Sequence, residues 1–542
     1  MPIRDHSILA PNRTAPNRFP YPPTWNYECC STDDIAEIYV GDGIFDTSSD
    51  ISNLDDIEAP TVRHAHTPVA ETTHQHSATD HRNNNGNDCK SVSAKIDTPN
   101  GQSPTETKDG LIVDQAVVKD DGGASITNSI FNLANNVAGA GLLTLPAGVV
   151  GTGWIPSIGL CLVVAAVSSH TFTLVGKSCA LTGKNSFKDL WTYAFGSDKS
   201  AWIVDTMVFV QCFFVSVMYA GLIGDIFSDL LQETLGIHQW WTTRTNIICI
   251  FVFTILFPLS LIRDLRSLGF TSILGVIAVL YTVVFMMVRA VDGSYGVGSE
   301  TGRFVAEGLL PEEPSFAKSS LWNVDLTSLV LTSNLALAFM AHYNAPTYWK
   351  SLGKSASTKK FSTISKISYL ILAIIYMAIM VTGYATFGDV CMGNILLNYS
   401  NSDVLAILGR LATGLSIIFG APLQFHGCQE GFKNAASALD LFLALRNPKN
   451  HTLLVLSLLL IATNLAVITK DIALIASLTG AVTGSALVYI CPTLLYFKIV
   501  ERQLGADSME YQLAKRNLVF IPFGLFTASL GVAMTLIGYF GK

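Results

Sequence analysis

Asn132, Asn135, Asn136, Gly139 and Gly141 stand inside an apolar stretch, residues 125–146, that is otherwise of membrane type. Amide side chains are costly in hydrocarbon unless they face a protein interior or a water-filled cavity. The two glycines let the backbone unwind between Ala138 and Gly141, and Pro146 is expected to add strain further on. A helix broken there points the N–H groups and the positive dipole end of its second half into the membrane, which makes a site for an anion. Close packing against a neighbouring helix is the other reading of these glycines. A second apolar stretch, Leu335 to Pro346, is interrupted by His342, Asn344 and the proline. A break here frees backbone carbonyls, such as those of Phe339 and Met340, to accept from an ammonium or a cation.

Donors from one break and acceptors from another suit a zwitterion. The carboxylate is expected at Gly139, Ala140, Gly141 and Leu142, and the amine near Val137 and Phe339, with Met340 and Asn344 completing the set. The implied ligand is an amino acid, and no acid stands out in the sequence to receive a cationic side chain, so neutral ones are favoured. His342 is a candidate for carrying a proton, because an imidazole titrates near neutrality; hydrogen bonding to the freed backbone is its alternative role. His-Glu-x-x-His helices, Gly-x-Ser-x-Gly elbows and clustered intramembrane carboxylates do not occur, so the chain is not read as an enzyme. Neither a carbonyl-filter repeat nor a ring of charge suggests a channel. No cofactor and no metal are implied.

The elements that must hold these residues follow from composition. The 542 residues are 50% hydrophobic and 14% charged, with a mean hydropathy of +0.41, as in a polytopic membrane protein. Crossing the hydrocarbon core takes about 20 apolar residues in a helix. About eleven such spans are predicted, near 125–149, 154–179, 201–231, 244–262, 267–289, 323–349, 365–388, 403–427, 451–469, 471–498 and 517–539. Two interrupted helices five spans apart are what an inverted repeat of five plus five spans produces, with the eleventh added. Arg410 is expected to snorkel or to pair internally, and Asp205 and Asp225 to be interfacial.

Residues 1–122 hold 20 Asp and Glu against 9 Lys and Arg, so the net charge of −7 conceals about +4 over the remainder. This tail is rich in Asn, Thr, His and Pro and is expected to be disordered and cytoplasmic, ahead of a transmembrane domain over 123–542. His64/His66 and His74/His76 lack a Cys or carboxylate at ligand spacing. Cysteines such as Cys161 and Cys212 lie in apolar runs and imply no disulfide framework. With the tail inside, loops bearing Lys177, Lys184, Arg263, Arg266, Lys359, Lys360, Arg502 and Arg516 are cytoplasmic, against few cations opposite. The sequon Asn398-Tyr399-Ser400 falls in an outer loop.

Phe131-Asn-Leu-Ala-Asn-Asn-Val-Ala-Gly-Ala-Gly-Leu-Leu, Gly153-Trp154, His342-Tyr-Asn-Ala-Pro and Ser477-Leu-Thr-Gly-Ala-Val-Thr-Gly-Ser through Lys498 resemble the amino acid/auxin permease family, over about 125–540. That family includes sodium-coupled neutral amino acid transporters and fungal vacuolar amino acid transporters. The resemblance implies an all-α, eleven-helix LeuT-type fold working by alternating access. Asn135 falls where sodium-coupled members place an asparagine linked to cation binding. Those members also carry a hydroxyl residue before the proline of the eighth helix, where this chain has Gly420-Ala421-Pro422; Thr413 and Ser416 are poor substitutes by position. H+ is therefore favoured over Na+ as the coupling ion. The expected partners are the amino acid, the lipid bilayer and regulatory proteins recruited by the tail, with no nucleic acid. The membrane is vacuolar or another endomembrane, or the plasma membrane. A sensor that keeps the transporter fold is the rival reading.

Overall fold

A computed structural model describes residues 124–540, except 198–199, 263–268, 299–300, 318–319, 324–325, 327, 440–441 and 443–446, and omits the side chains of 140, 269–273 and 448. The expectations for the tail and its histidines, and for Arg263 and Arg266, lie outside the described residues. An isolated bridge joins Ser315 and Gly388; apart from it, the regular elements among the described residues are helical.

The first span is two helices. The Ser125 side chain accepts from the Asn128 N–H at 3.2 Å and starts α1 (Ile126–Val137), whose last turn gives way to an extended Gly139. A 3-10 turn, Ala140–Thr144, then leads into α2 (Leu145–Val149). After α3 (Trp154–Thr182) and the short amphipathic α4 (Phe187–Phe195) comes α5 (Ala201–Asp229), continued by a π turn to Thr234. A shorter apolar segment, Arg244–Ser260, comprises α6 (Arg244–Phe251), a π turn and α7 (Phe257–Ser260), and is followed by α8 (Gly269–Asp292) and the small α9 (Arg303–Ala306). The second interrupted span is α10 (Ser328–Ala338), a 3-10 turn at His342–Asn344 and α11 (Ala345–Ser351). Pro146 and Pro346 both sit in the first turn of the restarted helix, where a missing N–H removes no helical bond. Pro146 therefore starts a helix; the strain expected of it is not needed.

The remaining helices are α12 (Thr358–Phe387), α13 (Val404–Ala438), α14 (His451–Ile468), α15 (Ile472–Thr479), a π segment at Gly480–Ile490, α16 (Cys491–Leu504), α17 (Met509–Asn517) and α18 (Phe520–Phe540). Among the described residues, eight helical stretches are long and apolar enough to cross a membrane, and the two broken spans and Arg244–Ser260 fall outside that set. Helix α12 starts at Thr358, seven residues before the predicted span, because Ser357 caps it and its lysine-bearing first turns extend past the apolar run. Helix α13 packs most extensively on α5, and α12 on α3. The π segment lies against α10 so closely that a Cβ on residue 480 would stand 1.9 Å from the Ser333 carbonyl oxygen, which only glycine avoids.

Charged groups inside the bundle are paired. Arg410 is fully buried; it forms an ion pair with Asp229 at 2.9 Å and donates to the Leu396 and Tyr399 carbonyls and to Asn401. Of the two expected fates for Arg410, the structure shows internal pairing. Arg289 holds Asp403 at 2.6 Å, and Arg244 holds Asp225 at 2.5 Å. Asp205 is buried beside Lys188, 3.6 Å away. Asn398 of the sequon is also buried, accepting from the Met392 N–H and donating to the Val390 carbonyl.

Candidate substrate site

Both helix breaks open onto one hollow. A vestibule of about 610 Å³ is lined by α1, α8, α11 and α13, and reaches the surface where Asn132, Asn136, Thr347 and Leu423 are exposed. This mouth lies on the side where α1 begins: the Ala124 N–H donates to the Ser351 carbonyl, and the Tyr348 hydroxyl to the Asn132 carbonyl. At its inner end lies a recess of about 50 Å³, lined by Val137, Gly139, Gly141, Leu337, Ala338 and Met340 from the two breaks, and by Gln211, Val215 and Met218 from α5. Asn136, Gly139, Tyr219, Tyr343 and Gln424 line both spaces and form the neck between them.

Polar side chains are plentiful around this hollow, yet no Asp, Glu, Lys or Arg is among its described lining residues. A neutral cavity that is nonetheless rich in amides and hydroxyls holds a polar solute by hydrogen bonds and imposes no preference for net charge. The N–H group of Gly141, in the first turn of the restarted helix, gives no hydrogen bond to a backbone carbonyl among the described residues. It is an unsatisfied donor of the kind that the sequence places here.

The predicted acceptors behave differently. The Val137 carbonyl already accepts from the Gly139 N–H at 2.7 Å and from the Tyr376 hydroxyl at 3.0 Å, and the Phe339 carbonyl accepts from the Tyr369 hydroxyl at 3.2 Å. Neither is free as expected, because buried tyrosines of α12 satisfy what the breaks release. Tyr376 also reaches the Ala338 carbonyl at 2.8 Å and so stitches the two breaks together. Of the remaining predicted residues, Val137, Gly139, Gly141 and Met340 line the recess, while Leu142, Asn344 and Asn135 line the vestibule. Phe339 lines neither space.

His342 also lies outside both. It is fully buried, its Nε2 is 3.0 Å from both the Thr171 hydroxyl and the Ser168 carbonyl, and Phe172 and Tyr369 pack about its ring. The imidazole that does line the vestibule is His426. Asn135 faces α8 and α13: its Oδ1 and the Ser416 hydroxyl lie 3.1 and 3.2 Å from where a Cβ on residue 275 would be, and Thr413 bonds Thr282 nearby at 3.1 Å. Ser416 is thus a closer neighbour of Asn135 than its position in sequence suggests. Sequence reading passed over Tyr219, Tyr343, Gln211 and Gln424. The two glutamines carried the same signal as the asparagines, an amide within a membrane span.

Eight helical stretches of membrane length among the described residues, together with two broken spans around a neutral polar hollow, define a multi-pass membrane transporter. The chain belongs to the family described as transmembrane amino acid transporter protein, which matches residues 122–537. It is similar to vacuolar amino acid transporter 5 of Schizosaccharomyces pombe, at 27% identity over 69% of this chain and 85% of that protein. It is also similar to the mouse (Mus musculus) protein named "Putative sodium-coupled neutral amino acid transporter 11", at 25% identity over 70% of this chain and 79% of the relative. Vacuolar amino acid transporter 2 of Saccharomyces cerevisiae is 24% identical over 72% of this chain and 79% of its own length.

Proposed function

We propose that this protein is a secondary active transporter that carries neutral amino acids by alternating access, coupled to H+ rather than Na+. The observation that carries this reading is the hollow itself: it joins both helix breaks, offers the unpaired Gly141 N–H group, and has no charged side chain among its described lining residues. The carboxylate binds at the first break, from Gly139 to Leu142. The amine binds at the second break, toward Met340 at the edge of the recess and Asn344 in the vestibule. Eleven spans in a LeuT-type repeat fit the order of elements: the breaks fall in the first and sixth spans, and the most extensive contacts join the second span to the seventh and the third to the eighth.

Gly420 and Ala421 leave the eighth span without the hydroxyl expected of a sodium site, which supports H+. Of the two coupling candidates, Asn135 lies in the vestibule wall, whereas His342 lies behind the second break on Thr171 and Ser168, where a role in holding the backbone is favoured over carrying the proton. The fungal relatives' names support a vacuolar or other endomembrane setting, with the tail in the cytosol. Uptake of labelled neutral amino acids into proteoliposomes, under a proton gradient, a sodium gradient or neither, tests the whole reading. Accumulation driven by the proton gradient is the expected result. Accumulation driven by sodium alone overturns the coupling, and binding without accumulation under any gradient favours an amino acid sensor.

A further inference from the structure

Gln211 is a polar side chain of the recess with no part in the preceding reading. It sits at mid-length in α5 with 2% exposure, and its carboxamide pairs with the Thr483 hydroxyl of the π segment. The Thr483 proton has a second acceptor in the Thr479 carbonyl at 2.7 Å. Whichever acceptor it takes, the amide is held by one end, and its other end makes no hydrogen bond among the described residues and lines the recess. Around it stand the apolar Val215, Met218, Leu337 and Met340, while the polar Asn136, Tyr219, Tyr343 and Gln424 stand at the neck. An amide end left without a partner at the edge of a binding space discriminates strongly between a ligand that pairs with it and one that does not.

We infer that Gln211, positioned by Thr483, reads the substrate's side chain and selects small neutral amino acids bearing a hydroxyl or a carboxamide over alkyl ones of the same size. Hydroxyls and carboxamides both donate and accept, so they satisfy either orientation of the Gln211 amide; a methyl group satisfies neither. A recess of about 50 Å³ has room for only a few non-hydrogen atoms, which limits the group to a short one. This inference rests on the amino acid reading given under Proposed function.

Serine and α-aminobutyrate differ only by hydroxyl against methyl and make the test. In proteoliposomes of the full chain, wild type should favour serine by about tenfold or more in kcat/KM. Gln211→Met, close in volume, should bring the ratio near one by raising KM for serine while α-aminobutyrate uptake persists. Thr483→Val should lower the ratio part of the way and add nothing in the Gln211→Met background. A wild-type ratio at or below one overturns the inference even if Gln211→Met does not fold, as does a Gln211→Met protein that keeps the wild-type ratio. If no amino acid accumulates at all, the transport reading fails instead. Thermal stabilisation of the detergent-solubilised protein by serine over α-aminobutyrate, lost in Gln211→Met, then decides the contact on its own.

Discussion

Gly141 is a residue whose size matters more than its flexibility. A Cβ there would lie 3.6 Å from the Ala338 Cα, an ordinary contact, so Gly141→Ala should fold and retain most uptake. The further atoms of Gly141→Leu must enter the recess; uptake should fall by at least about tenfold while size-exclusion chromatography shows a folded protein. Unchanged uptake would remove the recess from the transport path. His342 poses the opposite case. Its hydrogen bonds to Thr171 and Ser168 lie outside the vestibule and recess, so His342→Gln should cost about 1–3 kcal/mol of stability and leave the shape of the pH profile of uptake intact. A flattened profile would make it the proton carrier. The residues of the first break were legible because asparagine and glycine are conspicuous in an apolar run. The tyrosines that cap the freed carbonyls were not, since Tyr369 and Tyr376 in an apolar helix look like ordinary core.

At the scale of elements, apolar runs gave the positions of the long helices well and their lengths poorly. Hydropathy measures the hydrocarbon thickness, whereas α12 and α13 continue beyond it on polar turns. The π segment at Gly480–Ile490 left no trace in hydropathy, because an extra residue per turn does not alter composition. Its consequence is testable. Alanine ordinarily favours a helix over glycine by about 1 kcal/mol. Gly480→Ala should instead lower yield and thermal stability sharply, since its Cβ meets the Ser333 backbone. Gly420→Ala, with nothing within 4 Å of the new atom, should be neutral or stabilising. Between α5 and α13, Asp229→Asn leaves the Arg410 charge buried without its ion-pair partner and should cost about 3–5 kcal/mol, seen as a lower Tm in detergent. The double change Arg410→Met with Asp229→Leu should recover part of that loss, as removing both charges removes the desolvation cost.

For the whole molecule, the vestibule opens on the side where α1 begins, and under the orientation proposed from lysine and arginine that mouth faces the cytosol. Deleting residues 1–120 should leave basal uptake in proteoliposomes intact; a dead transporter would show that the tail does more than regulate. What hydropathy could not convey is how the two breaks meet. Tyr376 has a single hydroxyl proton set between the Val137 and Ala338 carbonyls, 3.0 and 2.8 Å away, so α1 and α10 share one pin at the points where each is discontinuous. Sliding one break past the other by even an ångström would unhook that proton from one side. The first and sixth spans are therefore tied at their breaks, and under the alternating access proposed above the slack for opening and closing the hollow is expected elsewhere, where these spans face α5, α8 and α13.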